Sequence, residues 1–401
     1  MRTVERTLVA VLAVLTQVAL AQTTPAQAPE SPLLDRIRAH MMDTLKRQPN
    51  YTCLETVERS GHNSGKRTFE KRDTLRLEVA LVDGKEMFAW PGSKKFDDRP
   101  ITEFVPGGMF GNGDFATYAS TVFGSKSTQF QAATQTPTPG NVRFDYEVAA
   151  GLQLRMGNEQ AVVGYHGSIY ADPQSLDVLR LEVVVDQIPP RLRLLRAADT
   201  LEYMRLRIGD ADFLLPAAGE IVMTHANGAE DRNRIKFSTC HEFSGESVLS
   251  FDEPAPDAPT AVDTPRQEAQ LPPNTNVTFR LLDELDTSTA SIGDPLRAEL
   301  ASDISVKGKI LFPKGTPVTG RISQLRAQSD STVLGMVFLE IESAAAHARL
   351  ELTFQRAEIA RALLLNQGPA ARGSHEPHEG VIVLRPGKVR LPRGTLVYWK
   401  T

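Results

Sequence analysis

Cysteine is nearly absent from this chain of 401 residues, which holds only Cys53 and Cys240. No Cys-x-x-Cys occurs, so a dithiol redox centre or a four-cysteine zinc site cannot be built. Aromatic residues are also scarce, at 6%, and beyond the amino terminus no apolar run approaches the roughly 20 residues of a membrane helix. An integral membrane barrel, with its aromatic girdles, is not expected. Neither charge dominates: 45 Lys and Arg stand against 49 Asp and Glu, a net charge of −4. That balance leaves no basic footprint for nucleic acid. Catalytic signatures are missing as well, since no Gly-x-Ser-x-Gly or Ser-x-x-Lys arrangement offers an activated serine.

What is present begins with an export signal. Arg2 and Arg6 precede an apolar run from Thr7 to Leu20, and Ala19-Leu20-Ala21 supplies the small residues of a cleavage site. Cleavage is expected before Gln22, giving a signal peptide over 1–21, a tail over 22–30 and a soluble periplasmic or secreted protein with no transmembrane segment. In an exported chain two cysteines are expected to pair. The bridge would join the first strand-like run to the last and close a loop of roughly 190 residues, worth about 5 kcal/mol in the chain-entropy model.

A helix is expected from Ser31, its N-cap, and Pro32 up to Pro49. Leu34, Ile37, Met41 and Leu45 recur on one face. From Cys53 to about Phe251 the pattern is that of strands. Leu75, Leu77, Val79 and Leu81 alternate with polar residues up to a turn at Asp83-Gly84. Val142 to Val148 alternate again, Gly167 to Pro173 turning into Val178 to Val183 reads as another hairpin, and Asn227-Gly228 marks a further turn. A glycine-rich apolar stretch, Phe104 to Gly113, interrupts them and leads into a short helix capped by Asp114. Residues 31–252 thus form a first domain, 253–270 a Pro/Ala-rich linker, and 271–401 a second β domain.

That second domain is punctuated by one motif used three times: Leu271-Pro272-Pro273-Asn274-Thr275, Phe312-Pro313-Lys314-Gly315-Thr316 and Leu391-Pro392-Arg393-Gly394-Thr395. Proline, a turn residue and a β-branched residue carry a chain through a turn into a strand. The motif Phe312-Pro313-Lys314-Gly315-Thr316 with Gly320-Arg321-Ile322 resembles the β-barrel domain of the VirB10/TrbI family. The family's inner-membrane helix and proline-rich stalk have no counterpart here, so the resemblance implies the barrel fold alone. The first domain resembles the LolA/LolB and RseB group of periplasmic proteins in its order of helix, meander and internal helices, and in Gly167-Ser168-Ile169-Tyr170-Ala171-Asp172-Pro173. That resemblance implies a curved sheet wrapped around helices that holds an acyl chain or lipoprotein.

The expected fold is therefore mainly β (α+β): an amino-terminal curved antiparallel sheet wrapped on helices, and a carboxy-terminal small β-barrel. The candidate ligand-binding residues are Phe104, Met109, Phe110, Phe115 and Tyr118, which could line the mouth of an apolar cavity or simply cover the sheet. Cys53 and Cys240 are the disulfide. His375-Glu376-Pro377-His378-Glu379 reads as a solvated loop, because its proline breaks the helix a zinc protease needs. Cys240-His241-Glu242 is no nucleophile–base pair, since adjacent strand residues face opposite ways. Gly107 to Gly113 lacks the Gly-Lys-Ser/Thr ending of a phosphate loop. No metal or cofactor is expected. The reading is a non-catalytic cell-envelope protein that binds an apolar, lipid or lipoprotein-type ligand. The alternatives are an assembly or adaptor protein of an envelope complex, and a hydrolase with an unrecognised site.

Overall fold

A computed structural model describes residues 31–93, 95–101, 105, 117–133, 139–243, 267–306, 308–369 and 378–401. It is mainly β, built on two large sheets. Helix α1 spans Pro32–Arg47 and buries Leu34, Ile37, Met41 and Thr44, while Leu45 is half-buried. Ser31 does sit before the first turn, but its side chain makes no cap; the Ser31 carbonyl accepts from the Asp35 N–H instead. Gln48, forced out of helical geometry by Pro49, ends the helix in extended conformation. A short helix, α2, covers Thr117–Gly124.

The first sheet contains β1 (Tyr51–His62), β2 (Glu70–Val82), β3 (Lys85–Ala89), β4 (Gln129–Ala132), β5 (Val142–Met156), β6 (Glu159–Ala171), β7 (Val178–Val185), β8 (Leu194–Ile208), β9 (Ala211–His225) and β10 (Glu230–Glu242). Its order is β3-β2-β1-β10-β9-β8-β7-β6-β5-β4, an antiparallel meander in which the last strand returns to the first. The Cys53–Cys240 disulfide crosses that β1–β10 seam. It sits where the register slips between Thr52 and Leu54, opposite Thr239, whose φ is 51°. Asp83 and Gly84, with φ of 51° and 77°, make the β2–β3 turn with both central residues left-handed.

The expected hairpin is formed by β6 and β7, and Gly167 to Ala171 lie in its first strand. The chain reverses over 172–177, where the Asp172 carboxylate accepts from the Gln174 and Ser175 N–H groups. A Cβ at Gly167 would lie 1.7 Å from the Glu182 carbonyl, to which the Tyr146 hydroxyl donates at 2.7 Å. Glycine is needed there for close approach of neighbouring strands.

The second sheet runs β11 (Gln267–Glu268), β19 (Ala346–Arg349), β18 (Thr332–Glu342), β17 (Pro317–Ala327), β14 (Pro295–Leu300), β12 (Asn276–Leu281), β24 (Leu396–Lys400), β20 (Thr353–Ala357). The pair β21 (Leu364–Pro369) and β22 (Gly380–Leu384) joins it through β18. Two short ladders, β13 (Leu285–Asp286) with β23 (Arg390–Leu391) and β15 (Ile304–Val306) with β16 (Lys309–Phe312), flank it. Because β11 pairs with β19, residues 267–268 of the expected linker already belong to this sheet.

All three repeated motifs fold alike. Asn274, Gly315 and Gly394 have φ of 65°, 85° and 90°, the left-handed third position of a type II turn. The following hydroxyls of Thr275, Thr316 and Thr395 donate back to the carbonyls of Pro272, Pro313 and Pro392 at 2.7, 2.6 and 2.7 Å. Each turn also clasps the end of another strand. The N–H groups of Asn274, Gly315 and Gly394 donate to the carbonyls of Thr401, Leu300 and Leu281, whose own N–H groups donate to the carbonyls of Thr275, Thr316 and Thr395.

The two sheets are joined through backbone. The Arg76 N–H donates to the Ile292 carbonyl and the Ile292 N–H to the Thr74 carbonyl, both at 2.8 Å, which extends β2 beyond the reach of β3. The Arg76 guanidinium holds both Asp294 oxygens at 2.8 and 2.9 Å, and Arg321 lies 4.1 Å from the Trp90 ring centre. One apolar cluster accordingly runs from Tyr51, Leu75 and Phe237 to Phe279, Phe338 and Trp399.

Gly293 sits at this joint with φ of 94°, and a Cβ there would meet the Arg76 carbonyl at 2.3 Å. Gly394, at a turn, has open space around it. In urea denaturation Gly394→Ala is expected to cost about 1 kcal/mol from backbone strain alone. Gly293→Ala should cost clearly more, and Asn274→Gly should cost nothing. Equal losses for the two alanine variants would refute the crowding at the joint. Replacing both cysteines by alanine should lower stability by about 2–5 kcal/mol, checked by the same denaturation.

Candidate functional site

The first sheet has one face turned to the helices, and strand alternation decides which residues stand on it. On β5 to β9 this face is apolar and covered. Leu34, Ile37 and Met41 of α1 and Tyr118, Ala119, Val122 and Phe123 of α2 pack with Phe144, Tyr165, Leu181 and Leu201. Burying each large aliphatic chain there contributes roughly 2 kcal/mol. A polar pin fixes α1 in place. His40 Nε2 lies 2.9 Å from Asp177 Oδ1, and Arg205 donates to both Asp177 oxygens at 2.8 Å. Burial raises the Asp177 carboxyl, but the hydrogen bonds from Arg205 and His40 outweigh it and hold the group below its ordinary range.

On β1, β2, β3 and β10 the same face joins the other cluster, where Ile101 and Val105 pack with Tyr51, Leu75, Leu77, Val79 and Phe237. The start of the glycine-rich stretch and the helix it leads into therefore lie in different places. Ile101 and Val105 belong to one core cluster, and α2 belongs to the other. Of the candidate ligand residues, Tyr118 is buried on α2, its ring edge-on to Tyr165 at 6.5 Å. Phe104, Met109, Phe110 and Phe115 lie outside the described residues, as do the export signal and 371–377 of the His/Glu loop.

Two polar rows interrupt this face. In the first, Asp199, Ile221, Asn233, Arg59 and Asp73 follow one another across β8, β9, β10, β1 and β2. Arg59 donates to Asp73 from Nε at 2.5 Å and from Nη2 at 2.9 Å, so the row carries its own cation. The second row does not. Glu55, on the same side of β1 as Cys53 and Val57, lies between Leu77 of β2 and Phe237 of β10. It is 7% exposed. Burial, then the charge of Glu86 on β3, pushes this carboxyl up to about 8. Tyr51, four residues earlier on β1, is also raised, by burial and then by Tyr203 and Glu86. Glu55, Glu86, Tyr51 and Tyr203 thus form one electrostatic group where the two clusters meet.

Sequence reasoning missed this group. Its signal was legible, because Glu55 occupies an inward position in Tyr51-Thr52-Cys53-Leu54-Glu55-Thr56-Val57. An acid with apolar partners at i−2 and i+2 of a strand is a buried acid.

The other face carries a cleft of about 580 Å³ over β4 to β7, bordered by Phe130, Arg143, Asp145, His166, Ser168 and Glu182. Its groups satisfy one another: Arg143 Nε donates to Asp145 at 2.8 Å and Ser168 Oγ donates to the same oxygen at 2.7 Å. Ser168 therefore has an acid, not an imidazole, at its hydroxyl. Cys240 is locked in the disulfide and cannot act as a thiolate. Among the described residues no group of three or more His, Cys, Asp or Glu could hold a metal ion. Among the same residues no helix is long and apolar enough to cross a membrane.

A buried neutral acid has a definite pH signature. In the unfolded chain Glu55 ionises near 4.5, and in the native state near 8. Between those values the native state holds a proton that the unfolded state has released, so stability falls as pH rises through the interval and levels off above it. Glu55→Gln should remove that decline, so the variant gains on the parent from pH 5 to pH 8 in denaturation midpoint. A difference between the two that does not change with pH would rule out the neutral acid. Comparison of the chain with protein-family models, curated proteins and solved structures finds no match.

Proposed function

We propose that this is an exported, non-catalytic cell-envelope protein that binds an apolar or lipid-type ligand against the helix-facing side of its first sheet. On this reading the sheet curves around α1 and α2, and the second sheet forms a small barrel that serves as a docking module. The observation that carries the reading is the Glu55, Glu86, Tyr51 and Tyr203 group, set inside an apolar face. A core built only for packing gains nothing from burying an acid between Leu77 and Phe237, since taking a carboxyl out of water costs free energy. Binding sites are commonly apolar surfaces with a few convergent polar groups. The disulfide and the export signal both fit an oxidising compartment outside the cytoplasm.

Native mass spectrometry of the full chain, secreted from its own signal and purified without detergent, tests the reading. A fraction of the protein is expected to carry one adduct in the mass range of a lipid, lost on organic extraction. Uniformly ligand-free protein, together with no binding of added lipid, would rule it out.

A further inference from the structure

We infer that the outward face of β4 to β7 carries a second binding site, a groove for a short chain of neutral sugar rings. It lies on the side of the sheet away from the helices, so it goes beyond the binding reading above and does not depend on it.

Three observations carry it. First, the strands leave room. The outward positions of β6 are Gly164, His166 and Ser168, an imidazole with a short residue on either side. Around them lie two basins, of about 580 Å³ and about 360 Å³, which share Glu147 and His166. A Cβ at Gly164 would meet the Ala149 carbonyl at 2.7 Å, so this position of the smaller basin tolerates no side chain. From Ser168 to Gly164 the groove follows β6 for about 13 Å, enough for roughly two or three linked rings.

Second, register sets donors and acceptors side by side. Gln131, Asp145, Ser168 and Glu182 form one row across four strands, and Gln129, Glu147, His166 and Val184 form the next. Gln129, Gln131, Glu147 and His166 are exposed. His166 Nδ1 lies 2.6 Å from Asp186 Oδ1, so Nε2 is the ring nitrogen left for a ligand. Amides both donate and accept, while carboxylates only accept. A hydroxyl also does both, and the neighbouring hydroxyls of a sugar ring match such a mixed pair of rows. Phe130 and Val184, on the two outer strands of the larger basin, supply carbon for the C–H face of a ring.

Third, the charges disfavour other ligand classes. Arg143 Nε donates to Asp145 at 2.8 Å, and Arg180 reaches Glu182 at 2.9 Å and Glu202 at 3.2 Å. An anion would therefore meet Asp145, Glu147 and Glu182 with the nearby guanidinium groups already engaged. An acyl chain would strip water from the exposed amides and carboxylate without replacing their hydrogen bonds. A simple cation would use the carboxylates and leave the amide N–H groups idle.

Ligand-observed NMR on the full mature chain tests the assignment. The probes are neutral trisaccharides of glucose, mannose and N-acetylglucosamine, with trigalacturonate and spermidine as the anionic and cationic comparisons. At least one neutral trisaccharide should bind with a Kd of about 1 mM or below, and trigalacturonate should not. In the double variant Gln131→Ala, Glu147→Ala, whose substituted side chains are exposed, affinity for that sugar should fall about tenfold or more. Circular dichroism checks that the variant is folded, and Gln129→Ala gives a second readout at the same wall. The helix-facing side is untouched by these changes, so lipid carried there should match the parent, and the two readings can fail separately. Failure of every neutral sugar to bind at about 10 mM, whether or not spermidine binds, would overturn the groove. Sugar binding that survives all of these substitutions would overturn it as well.

Discussion

The structure turns on a short length of shared backbone. Thr74 to Arg76 continue β2 past the end of β3, and the exposed N–H and C=O groups of that continuation pair with Ile292 of the second sheet. An unpaired strand edge is costly and sticky, and covering it is a standard requirement of β architecture. Here the cover belongs to the other sheet. Once Ile292 is seated, Asp294 meets Arg76, Gly293 packs under Trp90, and Arg321 lies over the Trp90 ring. The apolar cluster therefore has no gap between the sheets. Movement of one sheet relative to the other would break two backbone hydrogen bonds, an ion pair and a cation–aromatic contact together.

That joint bears on the proposed site. Leu75 and Leu77 stand on the covered face of β2, one on each side of Arg76, and Leu77 is the neighbour of Glu55. The buried acid therefore lies one strand from the joint. A rigid edge near a polar group in an apolar surface is what preorganised recognition requires, because a mobile wall would let water reach and solvate the carboxyl. The disulfide works to the same end from β10. It ties Cys53, two residues before Glu55, to the strand carrying Phe237 on the acid's other side. Glu55 is held by constraints on both flanking strands.

How much of this was legible in the sequence follows from the range of the forces involved. Local chemistry read well. The stripe of α1, the Asp83-Gly84 turn, the strand alternations and the triple motif depend on residues within a few positions of one another, and the structure has them. The motif says even more than expected, since each copy also clasps the end of a distant strand through the same pair of backbone bonds. The cysteine pairing was legible from the count of two and the expectation of export. The β6–β7 hairpin was legible too, but the reason for Gly167 was not, because only the neighbouring strand, with the Glu182 carbonyl in the way of a Cβ, shows it. The joint at Ile292 was not legible, because no residue near Ala290 to Pro295 records which edge it will meet.

The candidate site was partly written in the sequence and partly not, for a physical reason. Parity along β1 places Glu55 inward, which alternation alone can show. Which side chains stand beside Glu55 depends on which strands lie beside β1. Arg59 has the same parity as Glu55, four residues on, and could equally have served it in another register. The observed register gives Arg59 to Asp73 and gives Glu55 two apolar neighbours. A one-residue slip of β2 would turn its whole inward set to the other face, so register is held firmly by Leu75, Leu77, Val79 and Leu81. The apolar surroundings of Glu55 are thus a consequence of hydrophobic register, and they persist as long as those four residues remain buried.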